Sequence, residues 1–329
     1  MEKVIIAGPY NAVAKQKMAE DLARDFEVVS IGSTEEFRQH LDAQYVVLRT
    51  IPLPADVIEK MPNLKMIQRW GAGVDIIAVD TASARGIPVA NVAGENSQTV
   101  AELTVGLLLA LYRRIVTIDD AMRQGLWIKS SIDKRCFMIS GKTVGIVGMG
   151  RIGRCVASML LAFGANVQYC DPNITDEIRT FEREHPVKAV SLDKLLRTSD
   201  IVSLHLPLTP ENHYIIGEKE IGEMKDGAVL LNVARGGLVD QTALYAALKC
   251  GKLLGAALDC YEQEPLPADS PLLELDNVVL SCHVGGNTAD LALRLADRCP
   301  RNIRAYAGGT LDEKYVVNRK AIHYRSGGN

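Results

Sequence analysis

The hydrophobic positions of this chain form short apolar runs that alternate with amphipathic stretches. Runs of this length, rich in β-branched residues, are typical of strands buried on both faces of a parallel sheet. Their alternation with helical patterns predicts an α/β fold with helices on both faces of each sheet. Over the first 90 residues, strands are predicted at Val4–Ala7, Glu27–Ile31, Tyr45–Leu48, Lys65–Gln68 and Pro88–Ala90, and helices at 12–24, 35–40, 55–60 and 77–84.

A long apolar stretch, Asn96–Val116, predicts a buried helix that leads out of this first domain. A last helical pattern, Asn287–Tyr306, is interrupted by Pro300 and is expected to return the chain to the first domain before a frayed polar tail. A chain of 329 residues is too long for one hydrophobic core of ordinary size. We therefore predict two doubly wound parallel-sheet domains. The first comprises residues 1–98 and 290–329, and the second comprises residues 99–289. In the second, strands are predicted at 143–147, 167–170, 201–206, 228–233, 253–258 and 278–281, and helices at 152–163, 192–197, 218–224 and 241–249.

A glycine-rich turn follows the first strand of the second domain. Gly148, Gly150 and Gly153 have GxGxxG spacing, a helical pattern follows, and the next strand ends at Asp171. These glycines permit a tight turn, close approach of a pyrophosphate and close packing of the helix. A βα turn without a ligand is the alternative, but the complete strand–turn–helix–strand–acid pattern favours a dinucleotide. Asp171 favours NAD over NADP, because its charge repels a 2′-phosphate.

Three later strands of the second domain are each followed by a polar residue suited to hydride-transfer chemistry. Arg235 offers a permanently charged fork for a substrate carboxylate, and His283 is a proton donor of a type that titrates near neutral pH. Glu264 is expected to orient His283 and to stabilise its protonated form. Asp259 is expected to accept a hydrogen bond from the nicotinamide carboxamide. A structural role for each of these residues is the alternative.

Other strand ends carry weaker signals. His205 and Pro207 follow the predicted strand 201–206, so they are expected to lie near the cofactor. Arg49 follows a strand of the first domain, and the Gly71–Gly73 turn offers backbone N–H groups to a small anion. These positions are candidates for substrate binding, although plain turns explain them equally well.

Composition restricts the class of protein. The formal net charge of −3 gives no indication of a nucleic acid or an anionic membrane as partner. No apolar run reaches the ~20 residues of a membrane-spanning helix, and the N-terminus has no signal-peptide pattern. Seven scattered cysteines without a CxxC pair predict free thiols in a reducing cytoplasm and no metal site.

The motifs together resemble the D-isomer-specific 2-hydroxyacid dehydrogenase family, which includes phosphoglycerate, glyoxylate/hydroxypyruvate and D-lactate dehydrogenases. The matching segments are VGIVGMGRIG (144–153), HLPLTPEN (205–212), LLNVARGGLVDQTAL (230–244), AALDCYEQEPLP (256–267), SCHVGGNT (281–288), WGAGVD (70–75) and NSQTVAEL (96–103). The resemblance implies a flavodoxin-like substrate domain, a Rossmann NAD-binding domain, and an enzyme that transfers hydride between NAD and a small D-2-hydroxy acid.

The resemblance also implies the residues of the site. Arg235, Glu264 and His283 form its catalytic set, and Arg49, Ala72, Gly73 and Arg235 its substrate-binding set. It further implies a homodimer formed through the NAD-binding domain, with residues 119–141 in the interface. The residues expected to contact the cofactor are Gly148, Gly150, Arg151, Ile152, Gly153, Asp171, His205, Pro207, Val233, Ala234, Asp259 and Thr99.

Two departures and several alternatives accompany the resemblance. Cys282 occupies the position before His283 where the family usually has proline, and no C-terminal regulatory domain is expected. The substrate remains open between 3-phosphoglycerate, glyoxylate or hydroxypyruvate, and a D-lactate-like acid. A phosphite dehydrogenase-like enzyme and an NADH-sensing corepressor-like protein are alternatives on the same fold, whereas Glu264 argues against a formate dehydrogenase.

Overall fold

The computed structural model describes residues 1–326 and divides into two compact units. The first unit comprises Met1–Asn96 and Gly286–Asn329, and the second comprises Ser97–Gly285. Each is built on one parallel sheet, of five strands in the first unit and seven in the second. Two doubly wound α/β domains were predicted, and this fold class is confirmed; the boundaries were predicted after residues 98 and 289.

The strands are short, and their residues are largely buried. Apolar runs such as Val4–Ala7 have no exposed surface, as expected for strands covered by helices on both faces. In chain order the strands are β1 Lys3–Ala7, β2 Glu27–Ile31, β3 Tyr45–Leu48, β4 Met66–Arg69, β5 Val89–Ala90, β6 Thr143–Val147, β7 Asn166–Cys170, β8 Val187–Ala189, β9 Ile201–Leu204, β10 Ala228–Asn232, β11 Leu253–Leu258 and β12 Val278–Leu280.

The α-helices connect these strands, and several begin at a polar capping residue. The carboxylate of Asp240, for example, accepts hydrogen bonds from two backbone N–H groups at the start of the helix that follows it. In chain order the helices are α1 Ala12–Leu22, α2 Ala55–Glu59, α3 Val79–Ala84, α4 Ser97–Tyr112, α5 Ile115–Arg123, α6 Lys129–Ile132, α7 Arg151–Ala162, α8 Asp176–Glu184, α9 Leu192–Thr198, α10 Glu218–Glu223, α11 Gln241–Lys249 and α12 Ala289–Ala307. Short 3₁₀ helices occupy Glu35–Gln39, Asp133–Arg135, Pro210–Asn212, Gly236–Leu238, Pro271–Glu274 and Glu313–Tyr315.

The first unit has the strand order β2-β1-β3-β4-β5, the flavodoxin-like order. Helix α12 packs against α1, where Arg304 Nη1 lies 2.8 Å from Asp21 Oδ2. The predicted interruption of α12 at Pro300 was wrong. The helix is continuous, and Pro300 lies on its buried face, where apolar contacts offset the missing N–H donor.

The segment after α12 is packed rather than frayed, up to the end of the described residues. Leu311 and Val316 are buried, and the Val317 N–H donates to the Val89 carbonyl at 2.8 Å. The Asn318 side chain accepts from the Val89 N–H at 2.9 Å. Fraying was predicted for the polar terminus after Asn318, where the Tyr324 hydroxyl donates to the Leu311 carbonyl at 3.2 Å. The prediction was therefore wrong as far as Tyr324, and residues 327–329 lie outside the described part of the chain.

The second unit has the strand order β12-β11-β10-β9-β6-β7-β8. Counted from β6, its first six strands follow the doubly wound dinucleotide-binding order, with β12 added at the edge. The order reverses between β6 and β9, so the carboxyl ends of these two strands form the switch point where ligands of such sheets bind. The glycine turn after β6 lies at this point.

Two sequence predictions for the second unit need correction. The predicted helix 96–116 is two helices, because Arg114 takes a left-handed conformation with φ 53° between α4 and α5 and donates to the Asp276 carbonyl. The segment Asp176–Ala189 contains α8 and β8, which were not predicted. Thr175 caps α8, so its start was recognisable in the sequence. In the described part of the chain, no helix is long and apolar enough to span a bilayer.

Candidate active site

The glycine turn between β6 and α7 has a separate requirement at each glycine. Gly148 has φ +97°, and a Cβ on it would lie 2.8 Å from the His205 backbone. A Cβ on Gly153 would lie 2.1 Å from the Gly148 carbonyl oxygen, so only glycine lets α7 pack this closely. Gly150, at the N-terminus of α7, has no atom within 4 Å of such a Cβ. Open space at a helix N-terminus fits a pyrophosphate.

Asp171 lies directly after β7 and beside this turn. Its Oδ2 accepts the Met149 N–H at 2.7 Å, and its Oδ1 accepts the Asn173 N–H at 2.8 Å. Two backbone hydrogen bonds therefore fix the carboxylate next to the glycine turn. This placement fits a carboxylate that accepts hydrogen bonds from the adenosine ribose.

His205 follows β9, which ends at Leu204 and not at Leu206 as predicted. Its Nε2 lies 2.8 Å from Ser203 Oγ, while Nδ1 is buried without a hydrogen-bond partner among the described residues. Burial lowers the pKa of His205 to about 3, so the imidazole is neutral at physiological pH. An unpartnered buried nitrogen beside the glycine turn fits a site that a ligand completes. Pro207 is exposed, and its carbonyl accepts from Asn212 Nδ2 at 2.7 Å.

His283 and Glu264 form a hydrogen-bonded pair. The distance between His283 Nδ1 and Glu264 Oε2 is 2.7 Å, and 47% of the histidine side chain is exposed. Glu264 Oε1 accepts the Tyr261 N–H at 3.1 Å, which fixes the direction of the carboxylate. His283 has φ 54°, in the left-handed region that side-chain-bearing residues rarely occupy. The Tyr261 N–H therefore fixes Glu264, and Glu264 fixes the imidazole of His283.

The loop that carries His283 is held by Asp259, which is buried at the end of β11. Oδ1 of this carboxylate accepts from the Ser281 hydroxyl at 2.6 Å and from the Val284 N–H at 2.9 Å. Oδ2 accepts from the Gly285 N–H at 2.9 Å. Three hydrogen bonds from one loop make Asp259 an anchor for that loop. Its predicted contact with the nicotinamide carboxamide stays a prediction.

The loops after β10 and β11 are also joined. A Cβ on Gly236 would lie 1.9 Å from the Tyr261 backbone, so glycine is required where the two loops meet. Cys260 Sγ donates to the Ala234 carbonyl at 3.4 Å, and the Tyr261 hydroxyl donates to the Ser281 carbonyl at 2.6 Å. Arg235 therefore lies in the same set of connected loops as the His283–Glu264 pair. Its Nη1 donates to the Ala234 carbonyl at 2.7 Å.

Cys260 belongs to this site and was not predicted. One potential ligand atom from each of Cys260, Glu264 and His283 lies within 4.8 Å of the other two. The thiol is buried, and burial raises its pKa, so the thiol is neutral. Its one local signal is its position directly after Asp259 in the segment AALDCYEQEPLP.

The remaining predicted residues take varied positions. Thr99 in α4 is buried, as are Val233 and Ala234 after β10, whereas Arg151 and Ile152 open α7 at the glycine turn. In the second unit, the predicted cofactor residues other than Thr99 thus lie in the glycine turn or directly after β7, β9, β10 and β11.

The three predicted substrate residues of the first unit make hydrogen bonds within that unit. Arg49 donates to the Pro9 carbonyl and to Asn287 Oδ1, each at 2.8 Å. The carbonyls of Ala72 and Gly73 accept side-chain donors from Asn91 and Arg69.

Residues 105–285 match the model of the D-isomer specific 2-hydroxyacid dehydrogenase family, NAD binding domain, which is more than half of the chain. The chain belongs to this family. It is 41% identical over 285 residues to a glyoxylate reductase of Korarchaeum cryptofilum, covering 86% of this chain and 85% of that relative. It is 39% identical over 328 residues to a D-3-phosphoglycerate dehydrogenase of Methanocaldococcus jannaschii, covering 98% of this chain but 60% of that relative.

A solved structure shows the same likeness. The D-lactate dehydrogenase of Aquifex aeolicus, complexed with NAD and lactic acid, superposes with a TM-score of 0.82 at 28% identity, covering 93% of this chain and 97% of that chain. The resemblance read from the motifs is thus confirmed. This family member is an NAD-dependent oxidoreductase that acts on a small 2-hydroxy or 2-oxo acid.

Proposed function

We propose that this enzyme reduces a small, unphosphorylated 2-oxo acid, of the glyoxylate or hydroxypyruvate type, to the D-2-hydroxy acid. The observation that carries the proposal is the 2.7 Å contact of His283 with Glu264, in loops that are joined to the loop of Arg235. A proton donor, its orienting carboxylate and a permanent cation are the groups that reduction of a 2-oxo acid requires.

Arg235 binds the substrate. Its guanidinium is charged at every physiological pH and presents a planar set of N–H donors that match a carboxylate. The same donors polarise the neighbouring 2-oxo group and stabilise the negative charge that develops on its oxygen during reduction. Because the extended backbone of Arg235 runs directly into a 3₁₀ helix at Gly236, the loop holds the guanidinium on a short, fixed segment.

His283 moves the proton. In the reduction direction the protonated imidazole donates a proton to the 2-oxo oxygen, and in oxidation the neutral imidazole takes it from the hydroxyl. Nδ1 contacts Glu264, so Nε2 is the nitrogen that faces substrate. Glu264 stabilises the protonated imidazole and fixes its orientation, as the carboxylate of a catalytic triad does. NAD, when bound, supplies the hydride-transfer chemistry.

Arg49 bears on the choice of substrate. Its Nη1 and Nη2 atoms donate to the Pro9 carbonyl and to Asn287 Oδ1, so a phosphate would have to compete with partners already in place. This favours an unphosphorylated acid over 3-phosphoglycerate. The first unit is proposed as the substrate-binding domain, with Ala72 and Gly73 contributing backbone groups.

The test is a substrate panel with the purified enzyme. NADH oxidation is followed with glyoxylate, hydroxypyruvate and pyruvate, and NAD reduction with 3-phosphoglycerate and phosphite. We expect the highest kcat/KM with glyoxylate or hydroxypyruvate, and a preference for NADH over NADPH because of Asp171. NADH binding without turnover of any compound would favour the NADH-sensing alternative, and turnover of phosphite would favour the phosphite dehydrogenase alternative.

We also propose that the enzyme is a homodimer formed through the second unit. Helix α5 has no buried residue, and the segment around it exposes apolar side chains in an unusual concentration. Trp127→Glu is expected to give monomers by analytical ultracentrifugation, whereas Ile174→Glu, at another exposed apolar position, should leave the dimer intact. A monomeric wild type would contradict the proposal. The exposed residues of this segment are Ile115, Val116, Met122, Leu126, Trp127 and Met138.

A further inference from the structure

The cluster of Cys260, Glu264 and His283 has the composition of a zinc site. Its sulfur, oxygen and nitrogen ligand atoms lie within 4.8 Å of one another. Zinc binds such donors at about 2.0–2.3 Å in a tetrahedron, which places neighbouring donors roughly 3.5 Å apart. The three donors therefore lie close enough together to be drawn onto one ion.

The surroundings of the cluster allow an ion to reach it. Cys260 is buried behind the pair, whereas the His283 and Glu264 side chains are 47% and 36% exposed, so the cluster is open on one side. Solvent on that side supplies the fourth ligand, as in zinc sites with three protein ligands. A thiolate and an imidazole select zinc over magnesium or calcium, which prefer oxygen ligands only.

The charges of the cluster also balance. A thiolate and a carboxylate together carry two negative charges, and a neutral imidazole carries none, so one divalent cation is neutralised by its ligands. On binding, the Cys260 S–H bond breaks and its proton goes to solvent. The electron pair left on the sulfur then forms the bond to the metal. The hydrogen bond from the thiol to the Ala234 carbonyl is lost in that step.

We propose that Cys260, Glu264 and His283 bind Zn²⁺ reversibly and that the bound ion inhibits the enzyme. Zinc on the imidazole prevents protonation of both ring nitrogens, so His283 loses the imidazolium form that donates the catalytic proton. Zinc on the carboxylate removes Glu264 from its contact with His283. The binding site rests on the geometry alone, whereas the inhibition rests on the proposed function. Cys282 is exposed and precedes His283, so it provides a matched control thiol outside the cluster.

The binding test uses Co²⁺ as a spectroscopic probe for zinc, with the full-length protein free of cofactor. We expect one equivalent of Co²⁺ to give a sulfur-to-cobalt charge-transfer band, and Zn²⁺ to remove it by displacement. Cys260→Ser should abolish the band and weaken Zn²⁺ binding more than about tenfold, while Cys282→Ser keeps both. If the serine variant does not fold, Cys260→Ala replaces it in the same measurement, with its fold checked by circular dichroism. Absence of the band in the wild type, or its dependence on Cys282, would overturn the site.

The inhibition test measures the Zn²⁺ concentration that halves each variant's own rate. We expect this concentration to rise at least about tenfold in Cys260→Ser and to stay unchanged in Cys282→Ser, and EDTA to restore the wild-type rate. Equal zinc sensitivity of the wild type and Cys260→Ser would overturn the inhibitory role. If the chain turns over no 2-oxo acid, the cobalt spectrum alone still decides whether the metal site exists.

Discussion

The imidazole of His283 and the carboxylate of Glu264 meet at 2.7 Å although 19 residues separate them in the chain. Their loops follow β11 and β12, which are adjacent parallel strands, so the sheet itself brings the two side chains together. The Tyr261 N–H holds the second carboxylate oxygen, and Asp259 holds the loop of the histidine. Hydrogen bonds from the protein itself therefore hold the pair in place.

His283→Ala is expected to lower kcat by about 10²–10⁴-fold, because it removes the group that transfers the proton. The dissociation constant of NADH, from fluorescence titration, should change little. His40→Ala, a histidine substitution in the first unit, is the control and should keep the wild-type rate. A rate near that of the wild type in His283→Ala would remove this residue from the mechanism.

Glu264→Gln is expected to lower kcat by at least about tenfold. The amide keeps the shape of the side chain but loses the negative charge that faces the imidazole of His283 at 2.7 Å. The measurement is kcat in both reaction directions, together with the dissociation constant of NADH, which should change little. A kcat equal to that of the wild type would show that Glu264 does not act on its partner.

Asp259→Asn is expected to destabilise the enzyme by about 1–3 kcal/mol and to reduce kcat. Both carboxylate oxygens of Asp259 accept hydrogen bonds from N–H groups. In the asparagine variant an NH₂ group replaces one of these oxygens and cannot accept, so at least one buried hydrogen bond is lost. Thermal unfolding and steady-state kinetics measure the two effects. Asp269→Asn, at an exposed position, is the control. Wild-type stability in Asp259→Asn would contradict the anchoring role.

Gly153→Ala is expected to lower the stability of the fold, whereas Gly150→Ala is expected to weaken the binding of NADH. A methyl group at 153 would lie 2.1 Å from the Gly148 carbonyl oxygen, which predicts a loss of about 1–3 kcal/mol in unfolding free energy. A methyl group at 150 meets no protein atom within 4 Å, so the fold should be retained. It would occupy the space proposed for the pyrophosphate, and NADH should bind more than about tenfold more weakly. Tight NADH binding by Gly150→Ala would contradict that placement.

His205 is expected to make stability fall on the acid side of neutrality. Its pKa is about 3 in the folded state against an ordinary value of 6.5, so between these values the unfolded chain binds more protons. This contribution is complete above about pH 6.5 and is lost as pH falls towards 3, by up to about 1.4 kcal/mol per pH unit. In urea unfolding, the advantage of the wild type over His205→Asn should shrink between pH 7.5 and 5. A difference that is independent of pH would show that the pKa of His205 is the same in the folded and the unfolded chain.

Much of the fold and the site was predictable because each rests on a local pattern. Apolar runs determined the strands, and the GxGxxG spacing with Asp171 determined the cofactor turn. The rule that ligands bind at the carboxyl ends of parallel strands placed Arg235, Glu264 and His283 at one edge of the sheet. The His283–Glu264 contact follows from β11 and β12 being neighbours, and the family resemblance implied that both residues belong to one catalytic set.

Other features depend on packing between distant segments and had no local signal. The break between α4 and α5 follows from Arg114 reaching Asp276, far along the chain. The continuity of α12 through Pro300 depends on the buried face that the helix presents to its unit. The role of Asp259 as an anchor and the position of Cys260 beside the catalytic pair become visible only when three loops are assembled.

The backbone of His283 has a left-handed conformation that favours glycine over a residue with a side chain. At φ 54° a residue with a side chain costs roughly 1–2 kcal/mol relative to glycine, yet glycine carries no imidazole. His283 thus keeps a strained backbone at the position proposed for proton transfer. Selection for heat resistance alone would favour glycine at this position, so the proposed proton transfer gives a reason for the histidine.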